Sequence, residues 1–113
     1  MTETTVYNER TFLEKIQEQA RTRNFRLSIH VQQEMVDENI VLSEVTEAVN
    51  TAQVLENYPE HKRGACCLLY GITAAGRPLH VVCTTSLQIL VIITVYEPKP
   101  PRWITPTQRG GKP

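Results

Sequence analysis

The sequence is short of aromatic residues and of the common devices for holding a metal or a phosphate. Only 6% of its 113 residues are Phe, Trp or Tyr, and Trp103 is the single tryptophan. Its three cysteines, Cys66, Cys67 and Cys83, form no CxxC pair, which excludes a zinc knuckle of that spacing. No phosphate loop, HExxH helix or nucleophile elbow occurs, so none of those catalytic scaffolds is expected. The longest nearly unbroken apolar run, Leu87 to Val95, is interrupted by Gln88 and Thr94 and is far too short for a membrane-spanning helix. No charged stretch leads into an apolar segment near Met1. A cytoplasmic chain without a signal peptide is therefore expected. In that reducing setting the cysteines are expected to be buried free thiols, with Cys66 and Cys67 pointing to opposite faces of a strand.

Acidic residues nearly vanish from the second half. Residues 61–113 carry one acid, Glu97, against seven bases, whereas residues 1–60 carry eleven acids and five bases. The net charge of zero thus hides an acidic half and a basic half. The basic half suits an anionic partner, although solvated glutamates on helices produce the same imbalance.

The length fits one domain. Residues 1–8 read as a flexible N-terminus, 9–104 as a single α+β domain and 105–113 as a disordered basic tail. From Glu9 to Arg21, Phe12, Leu13, Ile16 and Ala20 recur at helical spacing. Ser28 is placed to cap a second helix running to Glu38, and Ser43 a third with Val45, Ala48, Val49 and Ala52 along one face. The period then changes. Gln53 to Tyr58, Ala65 to Tyr70, Leu79 to Thr84 and Gln88 to Tyr96 read as strands, with Gly71 to Gly76 as a turn. Two or three N-terminal helices packed on a four-stranded, mostly antiparallel sheet are expected, with Gln88 to Tyr96 inside the sheet. Pro98, Pro100, Pro101 and Pro106 are expected to end regular structure. Strand alternation groups Ile89, Val91, Ile93 and Val95 on one face. The aliphatic sides, including Leu79, Val81 and Cys83, are expected against the helices. His80, Thr94 and Tyr96, with Tyr70, then occupy an open face.

The polar residues left for chemistry are His30, His61, Lys62, Arg63, Arg77, His80, Tyr96 and Arg102. Metal-free RNA cleavage needs a base for the 2′-hydroxyl, a cation for the phosphorane and an acid for the leaving oxygen. His80 is the first candidate for acid or base, and His30 the second. Tyr96 would position a phosphate or stack on a base, and Lys62, Arg63 or Arg77 would supply the cation. Each has a structural alternative: a packed strand histidine, a helix-surface histidine, a tyrosine closing the sheet, solvated loop charges and a turn arginine. Trp103 is expected to tuck the tail onto the domain edge. Neither a metal nor another cofactor is expected.

Ser28, His30, Met35, Ile40, Tyr58, Gly71, the run Gly76 to Val82, the run Ile93 to Pro98 and Trp103 together form a pattern. Over residues 25–104 the chain resembles a bacterial domain family of unknown function that is similar to RelE- and MqsR-type toxins and often encoded beside zinc-binding antitoxins. The resemblance implies a RelE-like fold and a toxin of a toxin-antitoxin pair: a metal-independent endoribonuclease acting on mRNA or other single-stranded RNA and held by a cognate antitoxin. Where that family usually carries arginines after the helix histidine, this chain has Glu34 and Glu38. The loss of two cations favours the alternative, a catalytically inactive protein-interaction or regulatory module of the same fold.

Overall fold

The computed structural model describes residues 9–110. Residues 1–8 and 111–113, where the flexible N-terminus and the end of the tail are expected, lie outside them. The described residues are α+β, with three helices and a mixed five-stranded sheet. Helix α1 (Glu9–Arg21) is followed by strand β1 (Phe25–Leu27), and helices α2 (Ile29–Glu38) and α3 (Leu42–Asn50) come next. Strands β2 (Gln53–Tyr58), β3 (Cys66–Ile72), β4 (Pro78–Thr84) and β5 (Leu90–Tyr96) complete the sheet in the order β1-β5-β4-β3-β2. A separate hairpin, β6 (Trp103–Thr105) and β7 (Gln108–Arg109), ends the described chain.

Two features differ from the expected four-stranded antiparallel sheet with its helices first. Strand β1 lies between α1 and α2 and pairs in parallel with β5, Phe25 opposite Leu90 and Leu27 opposite Ile92. Three residues are too few to show a period of two, so this strand is silent in the sequence. The segment expected as a tail forms a hairpin as far as Arg109, with Trp103 opposite Arg109 and the Gly110 N–H donating to Arg102 O at 2.7 Å. Its prolines stand in the connections around the short strands rather than inside them.

Local capping fixes the helices between these strands. Ser28 Oγ accepts the Val31 N–H at 3.0 Å, and the Ser28 hydroxyl in turn donates to Ile93 O at 3.2 Å. Helix α2 stops at Asn39, in the left-handed region with φ 56°. Helix α3 starts one residue before the expected Ser43 cap. Val41 holds the cap position without a side-chain oxygen to offer, and Glu44 Oε1 reaches back to the Val41 N–H at 3.0 Å.

The core lies between the helices and one sheet face. Ile16, Val31, Val45, Ala48 and Val49 from the helices meet Cys67, Leu69, Leu79, Val81, Cys83, Leu90, Ile92 and Val95 from the strands. A bulge shifts the register of β5 against β4 between the Val82–Thr94 and Cys83–Ile92 pairs. Leu90, Ile92 and Val95 are therefore the buried positions, not the uninterrupted odd-numbered set read from simple alternation. Val91 and Ile93 are only half-buried.

Gly71 shows how closely α3 lies on the sheet. A Cβ at this position would meet Ala48 O at 1.8 Å, so only glycine lets the backbones approach. The Ile72 N–H donates to Thr51 Oγ1 at 2.9 Å and the Thr51 hydroxyl donates to Ile72 O at 3.0 Å, tying the end of α3 to the end of β3. Gly71→Ala is expected to cost about 3 kcal/mol of stability through overpacking. Urea unfolding measures it, and a loss below about 0.5 kcal/mol would show that α3 can shift freely.

Candidate functional site

Cross-strand pairing assembles one aromatic row. Tyr70 on β3, His80 on β4 and Tyr96 on β5 are direct neighbours, on the face opposite the α3 core. This grouping matches the alternation in the sequence, but the face is not open at His80. The β6–β7 hairpin lies over it, and His80 is fully buried. The Trp103 ring stands edge-on to the imidazole at 4.3 Å. Both imidazole nitrogens are engaged. His80 Nε2 is 2.7 Å from Pro106 O and Nδ1 is 3.1 Å from the Tyr96 hydroxyl. A carbonyl oxygen can only accept, so Nε2 carries the proton, and in the neutral ring Nδ1 accepts from the Tyr96 hydroxyl. Burial holds His80 below the ordinary histidine range, with the nearby Arg109 adding to the same effect, while the Pro106 hydrogen bond and Glu56 oppose it. Burial also raises the Tyr96 phenol. Among the described residues the buried Trp103 indole N–H has no hydrogen-bond partner.

An ion pair pins the hairpin. Arg109 donates through Nε and Nη2 to the two Glu56 oxygens, each at 2.7 Å. Its guanidinium also lies 4.8 Å from the Trp103 ring centre. That arginine holds the Glu56 carboxyl below its usual range. Arg102 sits 5.9 Å from the Tyr96 ring centre. Pro106, Arg109 and Glu56 were invisible as partners in the sequence, because contacts between residues this far apart leave no local pattern.

The other candidates are dispersed. Arg77 enters the β3–β4 turn but turns toward the helices. Its Nε donates to Glu97 at 3.0 Å, Nη1 to Asn39 O at 3.0 Å and to Glu44 at 3.2 Å, and Nη2 to Glu38 O at 2.8 Å. It ties the end of α2 to α3 and β5. Lys62 and Arg63, with His61, are exposed in the loop joining Tyr58 to Cys66. The His80 row crosses β3 at Tyr70, four residues further on, which at the strand rise is about 13 Å. His30 is exposed and lies 3.3 Å from Glu34 Oε2.

Glu34 and Glu38 have a structural use. Strand β1 covers β5 only from Leu90 to Ile92, and α2 runs beside the rest. Glu34 Oε1 accepts the Val95 N–H at 2.9 Å and also the Thr94 hydroxyl, and Glu38 Oε1 accepts the Glu97 N–H at 3.0 Å. Four residues of helix advance about 6 Å and two of strand about 6.6 Å. Carboxylates at i and i+4 therefore match successive outward N–H groups. This spacing is the one signal in the sequence that could have identified them.

Two surface depressions are relevant to binding. One, about 260 Å³, lies between α2 and the hairpin and mixes the acids Glu34, Glu38 and Glu97 with Lys99 and Arg102. The other, about 500 Å³, is lined mainly by Leu27, Met35, Val36, Ile40 and Val41, with Gln32 and Asn39. Beside it Ile29, Val36 and Val41 are 86%, 74% and 54% exposed. Among the described residues no group of three His, Cys, Asp or Glu side chains is placed to hold a metal ion, and no helix is long and apolar enough to cross a membrane.

Residues 27–97 match the family model described as a domain of unknown function, DUF4258. No curated protein and no solved structure matches the chain.

Two outcomes follow from the sealed histidine. The His80 pKa is depressed in the folded state relative to an ordinary value of 6.5, so its contribution is present above that value and is lost as pH falls through the folded pKa. Stability is expected to decline as pH falls below about 6.5 and His80 takes up a proton, with a further contribution to the decline below about 4.5 as the Glu56 carboxylate is protonated. Unfolding measured across this range should show the first decline flattened in His80→Gln; an unchanged profile would contradict it. Arg109→Ala is expected to loosen the hairpin, shifting Trp103 fluorescence to the red and lowering Tm by about 3 °C. An unshifted emission maximum would show that the ion pair does not hold the hairpin down.

Proposed function

We propose that this chain, which belongs to the DUF4258 family of domains of unknown function, is a non-catalytic protein-interaction module on a RelE/MqsR-like scaffold. One observation carries this reading: the residue best suited to acid–base chemistry is sealed. A general base must come within hydrogen-bond reach of its substrate, whereas His80 is fully buried with both nitrogens occupied. The expected cations do not converge on it. Arg77 is bound by helix-end carbonyls and two carboxylates, and Lys62 and Arg63 lie toward the other end of β3.

The surface better suits a protein partner. Ile29, Val36 and Val41 expose a row of aliphatic side chains beside the depression of about 500 Å³. Across residues 29–50 there are five acids, Glu34, Asp37, Glu38, Glu44 and Glu47, and no Lys or Arg. The matching partner is a polypeptide segment with aliphatic residues flanked by Lys or Arg. On the RelE/MqsR-like reading that partner is the cognate antitoxin.

A second reading, the metal-independent endoribonuclease toxin, is favoured by one arrangement. Arg102 and Arg109 flank the Tyr96, His80 and Trp103 cluster, so cations, an imidazole and a phenol are gathered in one place.

Co-expression with the products of the flanking reading frames, and induction alone with growth and RNA integrity followed, separates the two. The interaction reading expects a stable complex, no RNA cleavage, and at least a tenfold loss of affinity in Val36→Asp with Tm unchanged. RNA cleavage by the wild type that is lost in a folded His80→Ala or Tyr96→Phe variant would replace it with the toxin reading.

A further inference from the structure

The two central strands bring a pair of thiols together. Cys67 on β3 and Cys83 on β4 are directly opposed in the antiparallel register. Both are fully buried on the helix-facing side of the sheet, and both are free thiols. Directly opposed residues hold their Cα atoms about 4.5–5.5 Å apart, inside the span of about 4.4–6.8 Å that a disulfide bridges. Their Cβ atoms, about 4.5–5.5 Å apart in such pairs, need only a small approach to reach disulfide distance. Cys66 pairs with Thr84 on the other side of the sheet, where the sheet itself separates its sulfur from that of Cys83.

We propose that Cys67 and Cys83 are a modification site, a dithiol that closes to an intramolecular β3–β4 disulfide by exchange with a low-molecular-weight disulfide. The thiolate of one cysteine attacks a sulfur of RSSR. The S–S bond breaks, a mixed disulfide forms and one RS⁻ leaves and takes up a proton. The thiolate of the other cysteine then attacks the protein sulfur of the mixed disulfide and expels the second RS⁻, which is protonated in turn. Two protein thiols are oxidised, one RSSR is reduced to two RSH, and the protons from the two cysteines end on the products.

Burial decides when this happens. Contact with Cys67 and burial raise the Cys83 thiol well above its usual range, which leaves little thiolate, and the core keeps the reagent out. Exchange therefore proceeds through opened or refolding molecules. Once closed, the bond fixes the β3–β4 register two residues from the Leu69–Val81 pair and three from Tyr70–His80. The disulfide would thus hold together the two strands on which the hairpin-covered row is built. This inference is independent of whether the surface binds a protein or RNA.

The test uses the full chain. Reduced protein is unfolded in urea, diluted into reduced and oxidised glutathione at several ratios, quenched with acid, alkylated with iodoacetamide under denaturing conditions and weighed intact. The expected product is a monomer two hydrogens lighter before alkylation, with one alkylated cysteine. Chymotryptic cleavage after Tyr70 separates the two partners, and fragmentation of the linked peptides should place the bond on Cys67 and Cys83 and the label on Cys66. The oxidised protein should melt several degrees higher and return to the reduced Tm with dithiothreitol. Folded protein should react at least tenfold more slowly than refolding protein. Cys66→Ser, on the other side of the sheet, should keep the bond, and Cys83→Ser should lose it. A bond containing Cys66, a disulfide-linked dimer as the main product, or three alkylated thiols in the most oxidising buffer would each overturn the proposal.

Discussion

A strand as apolar as β5 cannot leave the N–H groups along its outer edge bare, and much of the architecture follows from covering them. For its first three residues the cover is β1, which supplies parallel backbone pairing. Beyond Ile92 the cover is α2, whose Glu34 and Glu38 carboxylates take the N–H groups of Val95 and Glu97. Unpaired donors at such a half-buried edge would each cost about 1–3 kcal/mol, and an exposed edge would invite pairing with other chains. Placing α2 here also fixes where its C-terminus ends. Arg77 reaches the Glu38 and Asn39 carbonyls from the β3–β4 turn and joins α2 to Glu44 and Glu97.

That arrangement bears on chemistry. Carboxylates committed to backbone donors are not available to a ligand, and an arginine held by two carboxylates and two carbonyls is neutralised where it stands. On the opposite side of the sheet the hairpin covers His80 and uses both of its nitrogens. Of the polar residues that suggested a catalytic set, Arg77, His80 and Tyr96 are fastening the covers of the sheet. Exposed surface chemistry is found instead along α2, where aliphatic side chains stand free beside acids.

The hairpin is the least deeply anchored of these covers. It is held by Trp103 packing, the Pro106 carbonyl on His80 and the Arg109–Glu56 pair. Its outer surface includes Ile104, 56% exposed, and Arg109 remains half-exposed. An exposed ion pair is weak and salt-sensitive, so the buried tryptophan and the histidine–carbonyl bond carry more of the attachment. Both the binding and the nuclease readings turn on whether this cover stays closed.

Local pattern determined a good deal. Helical spacing located α1, α2 and α3, and alternation located β2 to β5 and put Tyr70, His80 and Tyr96 on one face, because such periodicities repeat within a few residues. Ser28 as a cap was legible for the same reason. What needed the tertiary structure were pairings between distant segments. Phe25–Leu27 became a strand only because β5 offered an edge, and the bulge in β5 moved Val95 onto the face of Leu90 and Ile92. Residues around Pro106 became ordered only because His80 and Glu56 gave them partners. The sequence by itself specified the elements and the residue types on each face; which polar groups were free for function was decided by long-range hydrogen bonds, whose partners no local period records.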